Sequence, residues 1–151
     1  MPRSEPMVLM RRCPSGLRRA PLEAFAQRLR KRVTGRRWFQ CLITDDGELQ
    51  RLNRQFLGKD YPTDVLSFPA AESEGMPAGL GEIAISYQRA RGEARAFGHS
   101  VSDEIRILML HGVLHLMGMD HERDRGAMSR AEAAWRSKLG LPASLIERAS
   151  A

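Results

Sequence analysis

The chain has 151 residues, 42% of them apolar and 28% charged, with a net charge of +6 and a sequence pI near 10.1. This balance describes one soluble domain, 1–151, large enough to build a core without disulfide or metal staples, with residues 1–16 expected to be loosely ordered. It excludes several classes: no apolar run reaches membrane-spanning length, Met7–Met10 is too short for a signal-peptide core, and Cys13 and Cys41 lack the spacing of a disulfide framework or cysteine zinc site. A reducing cytoplasm fits, with neither a membrane nor a disulfide partner. The positive charge favours phosphate-rich partners such as nucleic acid, or anionic lipid.

In chain order, a short strand is expected at Met7–Met10 within a lead-in rich in proline and arginine. Leu22, Phe25, Ala26, Leu29 and Val33 recur at helical spacing from Leu17 to Val33, with arginines filling the remaining positions. That helix has a strongly positive exterior, either an RNA-facing surface or a solvated face. Trp38–Ile43 has strand composition. Thr44 or Asp45 caps a helix to Phe56, with Leu49, Leu52 and Phe56 on its buried side. A turn at Asp60–Asp64 precedes a strand at Val65–Phe68, an exposed loop at Ala70–Gly79 and a strand at Gly81–Ser86. A helix follows from Ser86 to Phe97. Ser100 or Ser102 then starts a helix, 102–117, that is apolar nearly all round and should be the buried central one. Met128, Ala131, Trp135 and Leu139 mark a final amphipathic helix. The order implies an α+β fold, a single domain with a small mixed β-sheet packed against helices.

Three of the four histidines fall in His111-Gly-Val-Leu-His115-Leu-Met-Gly118-Met-Asp120-His121. Residues four apart on a helix leave the same face about 6 Å apart along the axis, so His111 and His115 can reach one ion. Gly118 allows the helix to end and the chain to bring His121 back. Without His121 the pair would read equally well as hydrogen-bonded core residues. The full HxxxHxxGxxH spacing is that of metzincin zinc proteases, but Gly112 stands where those enzymes carry the glutamate that serves as general base. A peptidase reading therefore loses its base, and the histidines would contribute to catalysis through water activated by the ion. Asp120 and Glu122 flank His121. They are candidates for orienting an imidazole or moving a proton, and read as readily as an ordinary acidic turn. Three imidazoles suit zinc, nickel, copper and iron alike.

The same stretch resembles the HGxLHLxGYDH signature of the YbeY family of bacterial metal-dependent endoribonucleases, with Met119 in place of tyrosine. Leu52-Asn53 and Asp60-Tyr-Pro-Thr-Asp-Val-Leu-Ser-Phe-Pro69 resemble its second block. Leu80–Ser86 resembles its strand, with Glu82 where aspartate is usual. Gly98-His-Ser100, Glu104, Met128 and Glu132 also fit, so the likeness runs from Leu42 to Trp135. It implies one Zn2+ per chain bound by His111, His115 and His121. It further implies single-strand endoribonuclease activity in 16S ribosomal RNA 3′-end maturation and late-stage 70S ribosome quality control, with ribosomal RNA and ribosomal components as partners. One departure stands out. The family places an arginine after the aromatic residue at 56, where this chain has Leu57, and leucine cannot hold a phosphate. Arg54 and Lys59 are the nearby candidates for substrate binding, and Asn53, Thr63, Asp64 and Ser67 for lining the cleft. The rival readings are a metallopeptidase-like hydrolase and a ribosome-associated RNA-binding protein with a structural zinc.

Overall fold

The computed structural model of the protein describes residues 5–61, 63–70, 79–119 and 126–142. Strands β1 (Val8–Met10), β2 (Phe39–Thr44), β3 (Val65–Pro69) and β4 (Gly81–Ser86) form one sheet in the order β1-β2-β4-β3. The first two and β4 are parallel, and β3 lies antiparallel at the edge. The helices are α1 (Arg19–Arg32), α2 (Asp46–Leu57), α3 (Tyr87–Phe97), α4 (Val101–Leu116) and α5 (Ala127–Leu139). This is the α+β fold with a small mixed sheet that the element order predicts.

Strand alternation divides the core between two faces. On one face Val8, Phe39, Cys41, Ile43, Ile83 and Ile85 are buried with Leu22, Phe25 and Leu29 of α1, Leu108 and Met109 of α4, and Met128 of α5. On the other, Leu66 and Ala84 meet Leu49 of α2. Helix α4 is buried along most of its length, as its nearly continuous apolar surface predicts. It starts at Val101 because Ser100, and not Ser102, is the cap: the Asp103 N–H donates to Ser100 Oγ at 3.0 Å.

Two expectations need correcting. Part of the lead-in expected to be loose is core: Met7 and Val8 are fully buried, their N–H groups donate to Glu23, and β1 pairs with β2. Phe56, expected on the buried side of α2, is 59% exposed, its ring meeting Phe68 edge to face with centroids 5.7 Å apart. The buried stripe of α2 runs instead through Leu49 and Asn53, with Leu49 packed on Leu66 and Ala84 of the sheet. The loop residues 71–78 lie outside the described residues.

At the start of α2, Asp45 accepts the Glu48 N–H at 2.9 Å and caps the helix. The buried Glu48 carboxylate accepts from Thr44 Oγ at 2.8 Å and from Arg51 and Arg11 at 3.0 and 3.2 Å. Burial alone would raise its pKa. The hydrogen bonds from Thr44 and Arg51 and the charges of Arg11 and Arg12 outweigh burial and hold it below the ordinary 4.5. A depressed carboxylate contributes stability that is present above its unfolded pKa and lost as pH falls through the folded value. Glu48→Gln should therefore cost about 1–2 kcal/mol at neutral pH, discounted for the exposed arginines. Urea melts across pH should show the gap to the wild type closing on acidification below the ordinary carboxylate range. A gap constant with pH would contradict the assignment.

Candidate metal centre

His111 and His115 lie one turn apart on the sheet-facing helix α4, each only partly exposed. Their rings meet edge to face, centroids 4.7 Å apart, and their Nε2 atoms point together at 3.1 Å. Two ligands of one tetrahedral zinc stand about 3.3 Å apart when each Zn–N bond is about 2.0–2.1 Å, so the pair is set at nearly the spacing of a shared ion. The Nε2 pair can be closed by a proton, with His115 donating, or by a cation that takes both lone pairs.

The tautomer is fixed from behind. Glu132 of α5, itself buried, accepts the Nδ1–H of His111, which leaves the His111 Nε2 lone pair directed at His115. The other carboxylate oxygen of Glu132 is buried with no hydrogen-bond partner among the described residues, and the bond to His111 helps to compensate for burying this group. Sequence reasoning noted Glu132 only as fitting a resemblance and gave it no role. The signal was there: it sits four residues after Met128 and three before Trp135, an acid on the buried stripe of an amphipathic helix.

Behind the pair, Glu104 is fully buried and bonded to His99 Nε2 at 2.7 Å. Asp64 lies within electrostatic reach of both His111 and Glu104. Burial raises its pKa and Glu104 adds to the rise, while His111 opposes it. Asp64 and Thr63, proposed as cleft residues, line a cavity of about 560 Å³ with Asp46, Arg89 and Glu93. Neither histidine lines that cavity, and Asp64 is the residue common to both neighbourhoods. The other two cleft candidates have structural work: Ser67 Oγ donates to the Gly112 carbonyl at 3.2 Å, and Asn53 Nδ2 donates to the Tyr61 carbonyl at 2.9 Å. Arg54 and Lys59 are exposed at the end of α2 and just after it, Arg54 lying 3.9 Å from Asp60. No contact joins them to the histidines among the described residues.

Gly118 has φ +95° just beyond the end of α4, the left-handed turn expected of it. His121, Asp120 and Glu122 lie outside the described residues, and no three His, Cys, Asp or Glu side chains converge as metal ligands among the described ones. Gly112 has a steric reason. A Cβ there would stand 3.0–3.1 Å from three carbons of Ile83, so α4 approaches β4 only because this residue has no side chain. The position that proteases give to glutamate is filled here by the sheet.

Alanine at 112 should destabilise the fold, overpacking at about 1–3 kcal/mol outweighing about 1 kcal/mol of helix propensity. A double-mutant cycle with Ile83→Ala should recover most of that loss, and additive effects would show that Ile83 is not the obstacle. Glu132→Gln should weaken zinc binding about 10–100-fold, as measured against a chromophoric chelator. Unchanged affinity would remove Glu132 from the centre.

Comparisons with known proteins place the chain in a family. The family model described as endoribonuclease YbeY matches residues 19–140. Similar curated relatives, both named endoribonuclease YbeY, come from Solibacter usitatus (60% identity, 93% of this chain and 92% of that one) and Koribacter versatilis (47%, 94% and 91%). A similar fold is the solution structure of TM1509 from Thermotoga maritima, at 26% identity and TM-score 0.55, covering 87% of this chain and 93% of that one. With matches on this scale, spanning the helix that carries His111 and His115, the chain belongs to the endoribonuclease YbeY family.

Proposed function

We propose that this chain is a metal-dependent endoribonuclease that cuts single-stranded RNA, with one Zn2+ held by His111 and His115 and, outside the described residues, by His121. The observation that carries the reading is the pair of Nε2 atoms 3.1 Å apart with Glu132 fixing the first ring. When bound, the cation would supply Lewis acidity, polarising a phosphoryl oxygen and acidifying water. The chain's own residues do the rest. Glu132 sets the His111 tautomer, Ser67 ties edge strand β3 to the Gly112 carbonyl, and Asp64, within electrostatic reach of His111, lines the 560 Å³ cavity with Thr63. Asp120 is proposed to assist proton transfer. Arg54 and Lys59 are proposed to hold substrate phosphates in place of the arginine that the resemblance puts at position 57.

The substrate we propose is ribosomal RNA, in maturation of the 16S 3′ end and late-stage 70S ribosome quality control, with ribosomal components as partners. The net charge of +6 suits a polyanionic substrate, and the two cysteines, Cys13 and Cys41, are free thiols that suit a reducing cytoplasm. No helix among the described residues is long and apolar enough to cross a membrane.

The test compares zinc-loaded wild type with His115→Ala on single-stranded RNA, alongside casein as a peptidase substrate. The variant should lose cleavage by more than the 10–100-fold typical of losing a supporting group, with its thermal transition still cooperative. Undiminished cleavage by a folded, zinc-free variant would mean the ion is structural or absent from the reaction. Casein turnover without RNA cleavage would establish the peptidase reading instead.

A further inference from the structure

Charge is not spread over this molecule. Between Leu17 and Trp38 lie eight of the chain's 24 cations and one of its 18 acids, so this stretch carries +7 and all the rest carries −1. The stretch is α1 and the turn that leads into β2. Its one acid, Glu23, is occupied by Arg19 at 3.0 Å and by the Met7 and Val8 N–H groups. Arg28, Lys31, Arg32 and Arg36 are exposed and have no carboxylate partner among the described residues. Arg28, Lys31 and Arg32 share one helix face at three- and four-residue spacing.

Local stability explains only part of this arrangement: Arg30, Lys31 and Arg32 stand in the last turn of α1, where the helix dipole favours cations. Like charges four apart repel, and α1 begins on Arg18 and Arg19 with no capping side chain and no acid in its first turn, against the helix dipole. Arg36 is held at φ +70°, a left-handed backbone that favours glycine, directly after Gly35 at +65°. The turn is nonetheless firmly built. The Arg36 N–H donates to the Arg30 carbonyl at 2.9 Å, and the buried Thr34 hydroxyl bonds the carbonyls of Arg30 and Arg37 at 2.8 and 2.7 Å. The guanidinium groups of Arg30 and Arg37 are anchored through Nε to the carbonyls of Arg36 and Thr34, at 3.1 and 2.9 Å. Each anchor fixes one edge of a guanidinium and uses neither Nη group, so less freedom is lost when these meet phosphate oxygens.

We propose that the C-terminal half of α1 and the Thr34–Arg37 turn form a phosphate-binding surface that grips the RNA backbone without reading its sequence, contributed by residues other than those of the metal centre. RNA is favoured over an anionic membrane because the apolar face of α1, Leu22, Phe25, Ala26 and Leu29, is buried in the core and leaves nothing to enter a bilayer. The proposal rests on the RNA-cleaving reading only for its choice of polyanion.

Fluorescein-labelled oligouridine and chelator-treated full-length protein test it by anisotropy across a salt series. Chelation takes cleavage out of the measurement, so a failure of the nuclease reading would show in the cleavage assay and not here. Arg36→Gly removes a charge while relieving its backbone, so its thermal midpoint should equal or exceed that of the wild type while its RNA affinity falls. The combined Arg28→Gln, Lys31→Gln, Arg32→Gln variant should bind at least about tenfold more weakly at low salt, the slope of log affinity against log salt falling by about 0.7 for each phosphate no longer neutralised. Three results would overturn the proposal: no wild-type binding, folded variants with unchanged slope and affinity, or lost binding to phosphatidylserine vesicles while RNA binding stays the same.

Discussion

The helix that carries His111 and His115 lies so close to the sheet at Gly112 that a side chain there would crowd its neighbour, and the placing of the two imidazoles follows from that approach. Ile83 carbons stand 3.0–3.1 Å from where a Cβ would be, and Ser67 of the neighbouring strand bonds the Gly112 carbonyl. Together these contacts fix both the rotation and the height of α4 over the sheet. His111, the preceding residue, is then aimed along the surface toward α5, where Glu132 meets it. One turn later His115 shares that direction, because 3.6 residues per turn return it to the same side. The same packing that places the imidazoles denies the chain the glutamate of a zinc protease. The placing of the two imidazoles thus depends on one glycine.

Around the histidine pair the acids lie deep, although others such as Asp60, Glu82 and Glu93 are exposed. Glu104 and Glu132 are buried beside histidines, with Asp64 close by, and each acid is held by hydrogen bonds or by its neighbours' charges. The arginines of α1 stay outside, on the far side of an apolar stripe that belongs wholly to the core. A carboxylate behind an imidazole makes it a better electron donor to a cation, and burial strengthens that effect by excluding water. The exterior cations act on a different scale. They set the field that a polyanion meets before it reaches any particular atom.

Much of this was legible in the sequence, for identifiable reasons. Helices α2, α3 and α4 announce themselves through Asp45, Ser86 and Ser100, whose side chains all accept the expected backbone N–H. The i,i+4 histidines and Gly118 specified a helical pair and its ending because those relations are local. Glu132 escaped because its partner is 21 residues away, and periodicity marks a position as buried without saying what it meets. Phe56 was misread for the complementary reason. It has the spacing of a core residue, but the strand it meets, at Phe68, is the edge of the sheet, and strand order is something no local pattern encodes. Gly112 could be seen to lack a base, yet its steric cause required Ile83 to be found opposite.

The bond from Glu132 to His111 has one more consequence, for how the protein is assembled. Its two ends come from different helices, α5 and α4, so the ring is oriented only while the last described helix is docked. Affinity for a cation therefore includes the free energy of that docking, and by thermodynamic reciprocity a cation must tighten the docking in return. Cation binding at the histidine pair and docking of α5 would then be one coupled equilibrium, so that undocking the helix would also release the orientation of the His111 ring.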